Sequence, residues 1–310
     1  MKQPLAYIHP EAKVADNVVI EPFVSIDKNV EIGEGTWIGS SVTIMQGARI
    51  GKNCKIFPNA VISAIPQDLK FDGEKTLVEI GDNTTIRECV TINRGTKENY
   101  KTAVGNNCLL MAYVHVAHDC VLGDNIILAN SANLGGHVRI DDWAIIGGLT
   151  AIHQFSHIGK HVMISGGSLV RKDIPPFVKA AREPLSFVGI NSIGLRRRGY
   201  TNDKINLVQE VYRILYLKGF NNAQALEYVE ANLPATDERD EIVLFDDLKR
   251  APEGESRYGD TREGYVVRTV DSFSLDELTE SMAKCVRENH VQTEELHWRK
   301  GGDIETNDLI

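Results

Sequence analysis

The sequence predicts a parallel β-helix built from hexapeptide repeats and closed at one end by helices. Three observations carry that prediction. An aliphatic residue returns every six positions from Ile8 to Val170, through Ile20, Ile38, Ile56, Ile86, Leu110, Leu128, Ile146 and Ile164. The position after it is often glycine, as at Gly33, Gly51, Gly81, Gly105, Gly123 and Gly147, and the fifth position of the repeat is mostly small. Helices and alternating strands have periods of 3.6 and 2, so neither accounts for a period of six, whereas a stacked β-helix does. Two gaps, 63–79 and 93–103, read as inserted loops because the aliphatic phase survives them.

Three hexapeptides make one triangular coil, so residues 18 apart in sequence lie one rung, about 4.8 Å, apart in space. Each coil buries its aliphatic column against its neighbours, as solenoids must. The pair Pro175-Pro176 is expected to end the repeat, with a loop continuing through Arg198. Apolar spacing then predicts two helices, 203–218 and 223–233, split by Gly219-Phe220-Asn221-Asn222, with Thr201 or Asn202 as N-cap. This divides the chain into a β-helix domain, 1–198, a helical cap, 199–245, and a tail, 246–310. The tail has no hexapeptide period; a strand is expected at 263–268 and an amphipathic helix at 274–289, a short α+β addition that is not a catalytic domain of its own.

Composition narrows the function classes. With 310 residues, 42% hydrophobic and 25% charged, the chain suits one or two globular units. No apolar run approaches the ~20 residues of a membrane span, and the N-terminus lacks a signal-peptide core. Cytoplasmic location without integral membrane association is the expectation. Of five cysteines, Cys54, Cys108 and Cys120 fall at the small fifth position, which predicts buried packing rather than metal binding or disulfides. Residues 1–200 carry 21 basic and 19 acidic side chains, and residues 201–310 carry 13 and 24. A local cluster of Arg171, Lys172, Lys179, Arg182, Arg196, Arg197 and Arg198 reads either as a solvated edge or as a site for an anion or an acidic protein. Nucleic acid is not an expected partner.

The rung rule turns sequence distance into candidate chemistry. His118, Gly136 and Gln154 are 18 apart, and so are Asp119, His137 and Phe155, giving two adjacent columns near a corner. A histidine beside a carboxylate can act as a general base, and a glycine N–H one rung away is a candidate oxyanion donor. That set suits acyl transfer to a hydroxyl. His115, His118, His137, His153, His157 and His161 crowd one third of the chain, which leaves metal binding open as a competing reading, although no carboxylate ligand pattern surrounds His115 and His118. On another face Ala112, Asn130, Gly148 and Gly166 stack at the same spacing and would leave a shallow groove for a long thin ligand.

The strings PQDLK (66–70), IRECVTINRGT (86–96), HVAHDC (115–120), GGHV (135–138), AIIGGLTAIHQF (144–155) and GLRRRG (194–199) closely resemble the UDP-N-acetylglucosamine O-acyltransferases of lipid A biosynthesis, over about residues 5–240. The resemblance implies a cytoplasmic homotrimer of left-handed parallel β-helices. It implies transfer of a long 3-hydroxyacyl chain from 4'-phosphopantetheinylated acyl carrier protein to the glucosamine 3-hydroxyl of UDP-N-acetylglucosamine, with no cofactor or metal of the enzyme's own. It implies His118 as general base, Asp119 as its partner and the Gly136 N–H as oxyanion donor. Asp68, Lys70, His115, His137, His153, Gln154, Asn191, Arg197 and Arg198 are implied to contact substrate, nucleotide or carrier protein, and Gly166 to set acyl-chain length. Two positions depart from the pattern: Asn93 stands where relatives often have His, and Ile193 where many have a Glu that contacts the ribose. Other hexapeptide acyltransferases, N-acyl or acetyl-CoA-dependent, a non-catalytic scaffold and a zinc-dependent hydratase remain as alternatives. The tail strings DTREGYVVR (260–268) and AKCVRENHVQT (283–293) are similar to the C-terminal end of RNA-ligase-type nucleotidyltransferases, which would single out Glu263, Arg268 and Lys284. The remaining ligase signature occurs only as Lys70-Phe71-Asp72-Gly73, inside the acyltransferase loop, so ligase activity is not expected.

Overall fold

Strands of two to five residues, one per hexapeptide, wind through three sheets in the computed structural model, which describes residues 4–250, 264–268 and 282–286. The first sheet stacks nine strands from Tyr7–Ile8 to Leu169–Val170, the second eight from Lys13–Val14 to His157–Ile158, and the third ten, starting at Val19–Ile20. Apart from the last two strands of the third sheet, successive strands of each sheet are three apart in chain order and pair in parallel, so the chain visits each sheet once per coil. The rung rule holds: His115 pairs with Asn133, Leu122 with Ile140 and Leu128 with Ile146, each 18 apart.

The insertions keep the phase. Ile62 pairs with Ile92 and Ile80 with Val104, so 12 and 6 extra residues leave the register intact. Both loops are shorter than the sequence gaps, because Val61–Ala64, Leu77–Ile80, Thr91–Asn93 and Lys101–Val104 are strands that run into them. Their extra backbone groups find partners in the neighbouring insertion, where Leu77 pairs with Lys101 and Val78 with Thr102.

Inside the triangle the aliphatic column is sealed: Ile20, Ile38, Ile56, Ile86, Leu110, Leu128, Ile146 and Ile164 are wholly buried. Each such side chain contributes about 1.5–3 kcal/mol of burial, so the repeated residue is also the source of stability. Cys54, Cys108 and Cys120 are buried in the same core, and burial pushes the Cys108 thiol up to about 11 and Cys120 to about 12. These thiols stay protonated and serve as small apolar packing.

The proline pair does not end the repeat. Val178–Ala181 adds a further parallel strand to the third sheet, with Met163 opposite Lys179, and Ser186–Ile190 then turns back antiparallel. Pro176 fits because it occupies a corner position, shared by Pro22 and Pro58, whose backbone nitrogen takes no part in the ladder bonds between rungs. The expected loop through Arg198 contains a helix, α1 (Ser192–Arg197), started by the Asn191 side chain, which accepts from the Gly194 N–H. Two helices follow: α2 (Asn202–Leu217), capped by Thr201, and α3 (Asn222–Asn232), with a capping box between Asn221 and Gln224. A further helix, α4 (Asp237–Arg250), was not expected from sequence. The buried face of α2, Ile205, Val208, Val211, Tyr212 and Leu215, joins the solenoid core, and the Tyr212 hydroxyl donates to the Pro176 carbonyl at 2.6 Å.

The chain divides into two compact units, 1–245 and 246–310. In the second, Gly264–Arg268 pairs antiparallel with Met282–Val286. The strand expected at 263–268 is therefore present, while 282–286 is a strand where a helix was expected; a pairing partner supplies the backbone hydrogen bonds that a short amphipathic pattern leaves undecided. Glu263 and the rest of the expected 274–289 helix lie outside the described residues.

Candidate active site

Each coil turns three corners, and in most coils the turn places a residue with positive φ at the tip. At the corner leading from the first sheet to the second, these tips include Asp119 (φ 59°), His137 (φ 60°) and Phe155 (φ 64°), each preceded by the residue of the adjacent column: His118, Gly136 and Gln154. The rungs lock together through backbone bonds, His137 N–H to His118 O and Phe155 N–H to Gly136 O, both 3.0 Å.

His118 and Asp119 form a dyad. The imidazole Nδ1–H donates to Asp119 Oδ2 at 2.8 Å, which leaves Nε2 with its lone pair free to take a proton. The carboxylate is fully buried, whereas the imidazole side chain keeps 15% of its surface exposed. Burial alone would raise the Asp119 carboxyl, but hydrogen bonds from His118 and Thr96 outweigh it and hold the group below its ordinary value. It therefore remains an anion beside the imidazole. His137 closes the far side, edge-on to His118 at 5.1 Å, stacked on Phe155 at 4.6 Å, with Nε2 3.8 Å from Asp119 Oδ2. His115, one strand earlier, bonds to the Thr91 hydroxyl at 2.7 Å; burial first, then the positive character of His118, pushes it below its ordinary value.

Gly136 lies against the ring. A Cβ there would sit 2.6 Å from His118 Cε1 and 2.7 Å from Nε2, so any side chain would displace the imidazole. The corner from the second sheet to the third shows what the N–H at this turn position does. There, Asp82 N–H donates to Asn106 Oδ1, Asn106 N–H to Asp124 Oδ1 at 2.6 Å, and Asp124 N–H to Asp142 Oδ1 at 2.8 Å. These donors point toward the next rung, and two of the three take carboxylate oxygens. At the dyad's corner Gly136 holds the equivalent position, next to Gln154, and no carboxylate side chain caps it.

The other sequence-derived residues sit elsewhere. His153 and Gln154 are exposed on the rung beyond Gly136, with His153 Nδ1–H donating to the Gln154 carbonyl at 3.1 Å. Asp68 and Lys70 lie in the first inserted loop, where Asp68 Oδ1 accepts from the Lys70 N–H. Asn93 is buried and ties the two insertions together, donating from Nδ2 to the Ile65 carbonyl at 2.9 Å. Asn191 is also buried: its amide caps α1 and donates to the His161 carbonyl, so its polar atoms are engaged within the fold. Arg198 stands at the corner from the second sheet to the third, donating to His161 Nδ1 at 3.2 Å and stacking over Trp143 at 5.2 Å. On α1, Ile193 and Arg197 are both exposed. Gly148 and Gly166 stack at the third corner, where a Cβ on Gly166 would lie 3.0 Å from the Gly148 carbonyl. In one chain, then, the dyad, Arg198 and Gly166 occupy three different corners.

His118, Asp119 and His137 bring ligand-type atoms within 4.8 Å of one another. The carboxylate of this trio already receives Thr96 and His118 and is closed to the surface.

Comparison with known proteins follows the same geometry. A profile of the bacterial transferase hexapeptide (six repeats) matches residues 101–136, and one of the GMPPB C-terminal domain matches residues 2–67. Domain 2 of UDP-N-acetylglucosamine O-acyltransferase matches residues 173–252. The acyl-(acyl-carrier-protein)–UDP-N-acetylglucosamine O-acyltransferase of Chlorobaculum parvum is 50% identical over 246 residues, covering 78% of this chain and 92% of the relative. The chain belongs to the UDP-N-acetylglucosamine O-acyltransferase family. The family member from Sulfurihydrogenibium is 51% identical over 243 residues, 78% of this chain and 90% of its own length. Among solved structures, the UDP-N-acetylglucosamine acyltransferase of Bacteroides fragilis superposes with a TM-score of 0.79 at 52% identity, over 84% of this chain and 100% of that one. The Francisella novicida enzyme gives 0.78 at 42% identity, over 84% and 93%.

Two features beside the aspartates are not legible in the sequence. One is Thr96, 23 residues before Asp119 and outside the hexapeptide period. The other is a second dyad, His157 with Asp141, where only the column with Arg139 follows from the rung rule, since 139 and 157 are 18 apart.

Proposed function

We propose that this acyltransferase moves a long 3-hydroxyacyl chain from acyl carrier protein to the 3-hydroxyl of UDP-N-acetylglucosamine by direct attack. The observation that carries the mechanism is the His118–Asp119 dyad facing an uncapped turn N–H at Gly136. His118 Nε2 removes the hydroxyl proton as the oxygen attacks the thioester carbon. The Gly136 N–H donates to the developing oxyanion, in the position where its counterparts one corner away hold side-chain oxygens. The tetrahedral intermediate collapses, the carbon–sulfur bond breaks, and the imidazolium returns the proton to the departing thiolate. Base catalysis of this kind contributes about 10²–10⁴-fold, and one oxyanion donor about 10²–10³-fold.

Three further roles belong to the same reading. His115, His137, His153 and Gln154 bound the acceptor sugar beside the dyad, and Asp68 and Lys70 reach it from the inserted loop. Arg197 and Arg198 engage nucleotide or carrier-protein phosphate, with Asn191 acting through the start of α1. The groove over Gly148 and Gly166 takes the acyl chain. Because these groups lie at three corners of one solenoid, a single cleft requires a neighbouring copy, which supports a homotrimer. No described helix is long and apolar enough to cross a membrane, which fits a carrier-protein donor delivered from solution.

The test is mass spectrometry of products from the purified protein supplied with 3-hydroxyacyl carrier proteins of several lengths, or acetyl-CoA, and UDP-N-acetylglucosamine. A 3-O-acylated sugar formed from long-chain carrier protein alone is the expected result. Product from acetyl-CoA, or acylation at nitrogen, would overturn it. Metal analysis of the active protein is expected to find no stoichiometric ion, and loss of activity on chelation would contradict the dyad mechanism.

A further inference from the structure

The second inserted loop reaches the dyad through one residue. Thr96 is buried, and both of its donors go to Asp119: its N–H lies 2.9 Å from Oδ1 and 3.1 Å from Oδ2, and its hydroxyl 2.7 Å from Oδ2. Oδ2 is the same oxygen that receives the His118 Nδ1–H. Thr102, at the loop's exit, accepts from the Asp119 N–H at 2.8 Å.

The loop is built to hold that position. Gly95 passes so close to Lys101 that a Cβ would lie 2.3 Å from its backbone nitrogen. Arg94 N–H donates to Ala64 O, Gly95 N–H to Leu77 O, and Tyr100 N–H to Thr96 O, so the residues flanking Thr96 are pinned on both sides. A loop that served only to pass between sheets would have no need to commit two donors to one carboxylate 23 residues away.

We infer that Thr96 is a positioning residue for the acyl transfer, fixing the Asp119 carboxylate so that His118 is held in the tautomer and orientation that present Nε2 as the base. The hydroxyl also shares Oδ2 with the imidazole, which tempers the carboxylate's pull on the proton between them. Removing it leaves Oδ2 to His118 and to the longer, 3.1 Å contact of the residue-96 N–H, and the carboxylate then holds the imidazolium more tightly. His118 and His137 are the titratable groups facing Asp119, and His115 faces His118 from the preceding strand.

This inference rests on the general-base reading of His118. The experiment compares Thr96→Val, Thr96→Ser and His118→Ala in the full chain, with kcat, KM for both substrates and the pH profile of kcat/KM. Thr96→Val is expected to lower kcat about 10–100-fold, the loss that corresponds to one hydrogen bond to a charged group. KM should stay near wild type, the acid limb of the profile should move to higher pH, and Thr96→Ser should restore most of kcat. Thermal melts verify folding, and Thr96→Ala is read in the same way if valine disturbs the loop. A hydroxyl-deleted variant with wild-type kcat and an unmoved acid limb would overturn the role of Thr96. Activity surviving in His118→Ala would instead sink the general-base reading beneath it.

Discussion

Two histidine–aspartate pairs stand on this solenoid with nearly the same contact distance, and only one has the surroundings of a catalyst. His118 meets Asp119 through Nδ1 at 2.8 Å, and His157 meets Asp141 through Nε2 at 2.7 Å. The first leaves Nε2 beside a glycine with no side chain. The second sits on a sheet face, with Arg139 donating to the same carboxylate at 2.8 Å, Phe245 of α4 packed on the imidazole at 4.6 Å, and the Asp173 carboxylate accepting from the His157 N–H. At Asp141 burial would raise the carboxyl, but the His157 hydrogen bond and the charges of His157 and Arg139 hold it below its ordinary value. A dyad serves as a base where its second nitrogen faces an open glycine turn, and as a clasp where an arginine shares the carboxylate and an aromatic ring packs on the imidazole.

The sharpest way to break this comparison is to delete each imidazole. His118→Ala is expected to lose about 10²–10⁴-fold in kcat with its melting temperature nearly unchanged. His157→Ala should keep kcat within severalfold and instead lower the melting temperature, because it removes a half-buried packing partner from α4; the usual cost of such a loss is about 1–3 kcal/mol. The pattern should repeat one step away. Asp119→Asn costs up to about 10⁴-fold when a carboxylate that sets a catalytic tautomer is lost, whereas Asp141→Asn should read out in stability. An activity collapse in the Asp141 variant, measured at a temperature where it is folded, would erase the distinction.

Glycines at two of the corners offer middle-sized effects. Gly136→Ala places a methyl group where the His118 ring lies, so activity should fall by at least about tenfold while the coil remains folded. Gly166→Met should leave activity intact but shift donor preference toward shorter chains, by about 0.8 kcal/mol for each methylene that no longer fits. Competition between carrier proteins of different acyl length measures it.

Stability against pH gives the smallest effect and involves a third histidine. His161 is buried between Trp143 and Phe177; it accepts from Arg198 at Nδ1 and bonds Tyr200 at Nε2, so the ring is neutral. Burial first, then the charges of Arg198 and Lys160, push it down to about 4 from 6.5. The unfolded chain therefore binds this proton more readily than the folded one. Stability from this group is complete above about pH 6.5 and falls as pH drops toward 4. The melting temperature should decline between those limits, and His161→Gln should flatten that part of the curve even if it is less stable throughout.

The solenoid was legible because one physical requirement, filling a triangular core, recurs every six residues and survives insertions of 12 and 6 residues. The rung rule also brought His118, Asp119, Gly136 and His137 together before any coordinates. Residues that act from outside the period were not legible. Thr96 reaches Asp119 from a loop, and a loop's path has no sequence period to read. Pro175-Pro176 reads as an end of the repeat, yet the repeat continues because a corner nitrogen outside the backbone ladder tolerates proline. Helix α1 is only six residues long, and α4 opens on the charged run Asp237 to Glu241, which obscures the apolar face of Ile242, Val243 and Phe245.

The most direct measurement is a single-turnover assay of acyl transfer from 3-hydroxyacyl carrier protein to UDP-N-acetylglucosamine, run on wild type, His118→Ala and His157→Ala at matched folded concentration. The dyad facing Gly136 predicts acyl transfer in wild type and His157→Ala and a loss of at least about 100-fold in His118→Ala. Comparable rates in the two variants, or loss confined to His157→Ala, would contradict it.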